Sequence, residues 1–455
     1  KRLKAVVLRG SAAVQTANPE EIRRLSTKFL RTVRFQPPFL NGKATRLLGT
    51  VMRKMPLQMR QDGMLYKFFL QKYGTSGLNQ FSVETGDAPI LNWRGSSEDL
   101  PPGRSTLIDP DRIREREIEK YHCYFCPVAC GGLAQFDGGR QETHKPEYET
   151  ILAFAGLSMQ DDLESIFAAN ELLNRAGMDS ISAGGTVAFA IECFEQGLLT
   201  SADTGGLVLR WGDSPAILRL LEMMVKREGI GDLLADGSRA AAKRLGERAN
   251  AFAVQSGGQE LPMHDGRNDP GFALHAALEP TPGRHTLGSY LYYEMFQLWR
   301  KVPALPRVRR LFYPKKTKYS ASLEKARWAA ACSQYTALLN GAGACIFAAF
   351  TGSHRFPIFE WLNAALGWQR SPEEYLALGR NIQTLRQAFN VRQGAPLKHA
   401  INPRAVGLPP QTAGANRGAS VPLDEIAPLY WQELGWDPQT GRPTAEQMAA
   451  LGLTL

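Results

Sequence analysis

The sequence predicts a mainly α-helical fold, and three observations carry that prediction. Apolar residues recur at i, i+3 and i+4 in window after window beyond residue 160. Capping residues and glycines punctuate those windows. Runs with the two-residue alternation of a strand are few. With 455 residues the chain can bury a large core, and its length corresponds to two or three domains.

Taken in order, residues 4–10 (Lys-Ala-Val-Val-Leu-Arg-Gly) read as a strand entering a turn. Asn18 before Pro19, Glu20 and Glu21 starts a helix, because an Asn side chain accepts from unpaired first-turn amides and Pro tolerates the first turn. Residues 75–115, rich in Gly, Pro, Asn and Ser, read as a long surface segment. Asp161 or Asp162 caps a helix bearing Leu163, Ile166, Phe167, Leu172 and Leu173, which Gly177 ends. Another passes through 188–191 to Gly197, and two more cover 218–228 and 233–245. The polar stretch 255–271 reads as a domain boundary. Helical spacing returns at 322–340, 358–366 and 373–389, residues 400–420 form a loop, and two short helices finish the chain.

Net charge is +10, and eight basic residues fall in 300–318 without one acid: Arg300, Lys301, Arg307, Arg309, Arg310, Lys315, Lys316 and Lys318. Such a stretch is either a dock for an acidic partner or a solvated loop, and the loop is the reading preferred. Nothing nearby resembles a nucleic-acid-binding motif, so no nucleic-acid partner is expected. No apolar run approaches the roughly 18 to 20 residues that cross a bilayer, so no membrane span is expected. Six cysteines in this length fit a reducing, cytoplasmic setting better than a disulfide scaffold. The chain starts at Lys1 and reads as the middle of something longer.

The densest chemical signal is Cys123-Tyr-Phe-Cys126-Pro-Val-Ala-Cys130. Three thiols so close are suited to three corners of a metal centre, with a fourth ligand from Cys193, Cys332 or Cys345. An iron–sulfur cluster suits a single C-x2-C-x3-C run best. Zinc sites usually pair two C-x2-C knuckles, or one knuckle with two histidines, and zinc stays as the alternative beside purely structural cysteines.

Two helix ends share the form N-x-x-G-x-(D/C): Asn174, Gly177 and Asp179 in the first, Asn340, Gly343 and Cys345 in the second. Singly, each is an ordinary helix end, since Asn and Gly commonly stop helices. As a pair they point to a pseudo-twofold arrangement around a shared ligand. Glycine lets backbone approach closely, and an amide and a carboxylate can read the edge of a flat heterocycle such as a pterin.

On these residues the chain resembles the aldehyde ferredoxin oxidoreductase family, the tungsten- or molybdenum-containing bis-pterin enzymes. The carriers are the cysteine run, Pro146-Glu147-Tyr148-Glu149-Thr150, the segment from Ala169 to Ser182, the corner ending in Cys345, Phe389 to Gly394, and the ending around Gly435-Trp436-Asp437 and Leu451-Gly452-Leu453. The resemblance is to the carboxy-terminal two thirds of the family. It implies two helical domains, 25–255 with the cysteine run and first pterin corner, and 256–455 with the second corner. Residues 1–24 would be the tail of an absent amino-terminal β-rich domain that forms the cofactor base, with residues 4–10 its last strand.

The resemblance also implies a tungsten or molybdenum bis-pterin (molybdopterin) with magnesium, contacted by Asn174, Gly177, Asp179, Ser180, Asn340 and Gly343. A [4Fe–4S] cluster would sit on Cys123, Cys126, Cys130 and Cys345, leaving Cys193 and Cys332 as buried helix residues. Glu149, with Tyr148 beside it, matches the family's proton-handling glutamate, and His285 its active-site histidine. Where family members often carry Asp at each corner, this chain has Asn174 and Asn340, an uncharged substitute. The E-x-x-H element that bridges subunits in some members is absent, so a homodimer is left open. The implied activity is oxidation of a small aldehyde to a carboxylic acid, with electrons leaving through the cluster to ferredoxin or an iron–sulfur electron-transfer subunit. Reduction of an activated acid or aromatic thioester, and a non-catalytic iron–sulfur electron carrier, are the alternatives. The chain alone reads as an incomplete enzyme.

Overall fold

Two apolar cores, rather than one, organise the helices. The computed structural model describes residues 5–33, 41–100 and 105–453. The first core gathers the helices Leu163–Ala176, Ser180–Glu195 and Ser214–Lys226, with Ile166, Phe167, Val187, Phe189, Ile217 and Leu220 essentially closed to solvent. Asp162 caps the first of these, accepting from the amides of Glu164 and Ser165, and Gly177 ends it with a left-handed φ of 66°. The second core gathers Tyr290–Phe296, Leu323–Gly341, Pro372–Arg392 and Leu423–Glu433. Helices Leu323–Gly341 and Pro372–Arg392 run so close at Gly379 that a Cβ there would stand 1.9 Å from the Gln334 carbonyl oxygen. Only glycine fits that crossing.

The helix Pro19–Val33 forms as its cap predicts, with the Glu21 amide donating to Asn18 at 3.0 Å. It delivers Phe29 and Val33 to the second core, where Phe29 meets Phe356 and Trp361 edge-on.

Strands are short. Glu117–Tyr121, Gly131–Phe136 and Gln141–His144 form an antiparallel sheet in that order, and Leu57–Met59 pairs with Phe312–Pro314. Tyr121 lies opposite Gly131, so the whole cysteine run occupies one hairpin connection.

Four expectations need correction. Lys4 lies outside the described residues, and residues 5–10 form no strand: Val7 and Leu8 are almost fully exposed with no neighbouring strand to pair with. The described residues of 75–115 are no surface segment. Helix Asn79–Thr85 and the buried Ile90, Trp93, Ile108 and Ile113 make them part of the first core. The helix expected at 233–245 divides into Ile230–Leu234 and Ser238–Leu245, because the buried Glu260 carboxylate takes the Ser238 amide and Gly237 turns with φ 91°. The polar stretch 255–271, between the helices of the first core and those of the second, is largely buried, with Asp265 and Arg267 paired at 2.6 Å inside it. Residues 300–318 are not simply a solvated loop. Arg307, Arg309 and Arg310 are exposed, but Lys315 donates inward to the carbonyls of Met52 and Arg53, and Lys318 to that of Asn268.

Among the described residues no single helix is long and apolar enough to cross a membrane. The bent pair Leu323–Gly341 and Ile346–Arg355 meets that test jointly, and the first of the two is a core helix.

Candidate functional site

Non-glycine residues at positive φ shape the cysteine hairpin: Phe125 at 54° and Ala129 at 52°. The Cys126 amide closes a turn on the Cys123 carbonyl at 2.9 Å, and the Val128 amide approaches the Cys126 sulfur at 3.4 Å. All six cysteines are free thiols. Burial pushes the Cys130 thiol up to about 12, aided by Glu147 and then by Cys345, Cys126 and Cys123. Burial likewise raises Cys345, with Cys126 and Cys123 contributing, while the amides of Ala348 and Phe347 favour its thiolate. Those four sulfurs therefore feel one another. Cys193 and Cys332 are fully buried, and neither is perturbed by a thiol of the run. Four clustered thiols, with Cys130 and Cys345 held in the protonated form by burial, are a donor set that a metal centre would deprotonate and hold.

The two corners are built alike. Met178 donates to the Leu173 carbonyl and Gly177 to that of Asn174; Ala344 donates to Leu339 and Gly343 to Asn340. Both are the six-to-one, five-to-two pattern of a Schellman helix end. Gly177 and Gly343 stand at φ 66° and 70°, and a Cβ on either would meet nothing within 4 Å. Asn174 and Asn340 are exposed. Asp179 caps the helix Ser180–Glu195 by accepting from Ser182, and the Ser180 hydroxyl bonds that of Thr150 at 2.7 Å.

Between the two cores lies a cavity of about 520 Å³. Cys130, Glu147, Tyr148, Glu149 and His285 are in its wall, together with Tyr66, Tyr292 and Phe350. The six corner residues are not in that wall. Lys315 and Lys318, from the basic stretch, are.

At one end of the cavity, Glu149 stands in the first turn of the helix Tyr148–Leu152. Its Oε2 accepts from the Met263 amide at 2.7 Å. Its Oε1 is buried without a hydrogen bond, with Nε2 of His264 and Nε2 of His285 each 3.4 Å away. One nitrogen or oxygen of each of these three residues lies within 4.8 Å of the other two. His264 Nδ1 meets Asp87 Oδ2 at 2.9 Å, and its ring is stacked between Tyr148 and Phe272, 4.9 and 4.8 Å from their centroids. The Tyr148 hydroxyl donates to both Asp87 Oδ2 and the Met263 carbonyl, at 3.0 and 2.9 Å.

Electrostatics divides the two histidines. Burial opposes charge on His264, yet Asp87 and then Glu149 outweigh it and raise its pKa to about 9. Burial lowers that of His285, against the pull of Glu149. Asp87 is itself held below the usual carboxylate range: burial resists, but His264 and the Tyr148 and Ser82 hydroxyls prevail. Tyr148 is driven far upward by burial and by Asp87, so it stays a donor.

The site thus brings together Glu149, His285 and Tyr148, as the sequence expects, and adds His264, Asp87 and Met263, which it does not. His264 sits in the stretch read as a boundary, and its only sequence signal is a histidine flanked by Asp265 and Arg267.

Residues 50–453 match the family profile described as "Aldehyde ferredoxin oxidoreductase, domains 2 & 3". A tungsten-containing aldehyde ferredoxin oxidoreductase of Pyrococcus abyssi is 30% identical over 460 residues, covering 100% of this chain and 67% of the relative. That of Pyrococcus horikoshii is 30% identical over 458 residues with the same shares. The solved active site complex BamBC of benzoyl coenzyme A reductase, in complex with 1,5 dienoyl-CoA, superposes with a TM-score of 0.65 at 19% identity, over 98% of this chain and 67% of that one; it is similar in fold. The chain belongs to the aldehyde ferredoxin oxidoreductase family, a family of oxidoreductases, and spans about two thirds of the length of these relatives.

Proposed function

We propose that the protein serves the oxidation of an aldehyde to its carboxylic acid. The reaction adds water to the aldehyde and releases two electrons and two protons. The observation that carries this reading is the convergence of Glu149 and His285 at one end of the cavity whose wall also contains Cys130. A tungsten or molybdenum bis-pterin with magnesium is the proposed resident group, since the relatives are tungsten-containing enzymes. The two open αL corners, with Asn174, Gly177, Asp179, Ser180, Asn340 and Gly343, would contact it. Cys123, Cys126, Cys130 and Cys345 would hold a [4Fe–4S] cluster that passes electrons singly to ferredoxin or a comparable iron–sulfur protein. When bound, the metal–pterin group supplies a Lewis acid and a two-electron acceptor.

The chain's own residues do the rest. Glu149 Oε1, which no hydrogen bond occupies, takes the proton of attacking water. His285, kept neutral by burial, donates from Nε2 to the carbonyl oxygen as charge develops there. Tyr148 does not reach for substrate; its hydroxyl fixes Asp87 and the Met263 carbonyl. The apolar walls exclude bulk water from the reacting end.

The test is aldehyde-dependent reduction of a viologen dye by protein produced with tungstate or molybdate, followed by metal and iron analysis. Turnover with stoichiometric metal supports the reading. Iron without tungsten or molybdenum and no turnover would leave an electron carrier in its place.

A further inference from the structure

Glu149 has two histidines against one oxygen, and they differ in what stands behind them. Behind His285 no carboxylate hydrogen bond stands among the described residues, and Arg284 beside it disfavours its charge. His264 has a carboxylate behind it, a ring on each face, and the Asp265 amide donating to the Asp87 carbonyl at 2.6 Å to hold the two segments together. A pair of imidazoles whose surroundings drive them to opposite protonation states is the arrangement that divides labour in an acid–base site.

We propose that His264 is a positioning residue for the reaction: anchored by Asp87 and clamped between Tyr148 and Phe272, its imidazolium attracts the Glu149 carboxylate and aims it into the cavity. The inference rests on Glu149 being the proton acceptor. The geometry explains why charge on His264 matters. As an imidazolium it holds Nδ1–H on Asp87 and brings positive charge to 3.4 Å from Glu149 Oε1, an electrostatic contact rather than a hydrogen bond. As a neutral ring it keeps the proton on Nδ1, where Asp87 accepts it at 2.9 Å, and turns an Nε2 lone pair toward the same Glu149 oxygen. The attraction that orients Glu149 across those 3.4 Å is then lost.

The groups facing His264 are all in view. Asp87 approaches from the turn after Asn79–Thr85, Tyr148 and Glu149 from the helix Tyr148–Leu152, and Asp269 from the cap of Pro270–Leu278; His285 with Arg284 comes from the following loop. Lys318 lies within electrostatic reach of Asp87 and Asp269 and opposes their effect. Carboxylates outnumber cations around the ring.

The experiment uses the metal-loaded enzyme and two readouts. One is the pH profile of kcat/KM for aldehyde-dependent dye reduction in wild type, His264→Gln and Asp87→Asn. The other is NMR titration of the His264 ring in the wild type and in Asp87→Asn, which needs no turnover. Wild type is expected to lose activity on an alkaline limb near pH 9. Asp87→Asn should move that limb down by more than one pH unit, toward the ordinary histidine value of about 6.5, and the NMR titration should move with it. His264→Gln should abolish the limb and lower kcat by roughly 10 to 100-fold with KM within about twofold. Retained kcat and an unmoved limb in His264→Gln, with a working wild type, would overturn the proposal and leave the functional reading intact. A wild type inert toward every aldehyde would remove the functional reading and the proposal together. If His264→Gln fails to fold, Asp87→Asn and the wild-type titration decide: an imidazole titrating near 6.5 in the wild type overturns the proposal.

Discussion

The cysteine hairpin and the Glu149 end of the cavity touch the same space and solve opposite electrostatic problems. Around Glu149 and Asp87 the chain brings its own counter-charge, the His264 imidazolium, to within 2.9 and 3.4 Å of two carboxylates. Around Cys130 the cation at hand is already paired. Buried Lys145 is committed to Glu117, and Glu147 adds a further acid, to which the Thr75 hydroxyl donates. Burial raises the Glu147 carboxyl, with Thr75 and Lys145 only partly offsetting it. One region is assembled for proton work with what the sequence provides. The other waits for positive charge from outside the polypeptide.

The contrast fails most visibly if the thiols do not act as a set. Cys345→Ser in the loaded enzyme should remove most of the cluster's visible absorption and iron, whereas Cys193→Ser, buried in the first core, should leave both in place. A full spectrum in Cys345→Ser would break the comparison. At the other end, Glu149→Gln should retain metal and cost about 10²-fold in turnover, the usual scale for a general base, read by steady-state kinetics.

Stability against pH sharpens the same contrast. His264 has a folded pKa raised to about 9, so its contribution is fully present below about pH 6.5 and is lost as pH rises through about 9. That is on the order of 3 kcal/mol at most, and denaturant titration at pH 6 and pH 10 should show it. Asp87→Asn should flatten the difference. The smallest effect belongs to the corners: Gly177→Ala and Gly343→Ala each force a side chain into left-handed backbone at about 1 kcal/mol, and their like geometry predicts like losses in thermal unfolding.

What the sequence could and could not reveal follows from range. The cysteine run, the Asn18 and Asp162 caps and the glycine at 177 are local devices, so spacing alone locates them. Glu149 and His285 were legible only through family resemblance, since their meeting depends on two cores docking. His264 was lost because a polar stretch looks the same whether water or a buried carboxylate satisfies it; here Asp87, far away in sequence, does so. Residues 75–115 misled for a related reason. Gly86 and Asn92 serve turns inside a core, where Asn92 donates to Glu192 at 2.6 Å, rather than a path over the surface. The basic stretch hid its lysines too, because backbone carbonyls of Met52, Arg53 and Asn268 leave no pattern in composition.

The cavity wall is drawn from both cores, Tyr148 from one and Tyr292, Met295 and Phe350 from the other. Any molecule seated there is held by both, and departs when either loosens. Occupancy therefore acts as a clasp on the docking of the two cores, worth about 2.7 kcal/mol when ligand stands at a hundredfold its dissociation constant. Filled, the two cores should melt in one transition; emptied, the interface between them is where thermal opening begins.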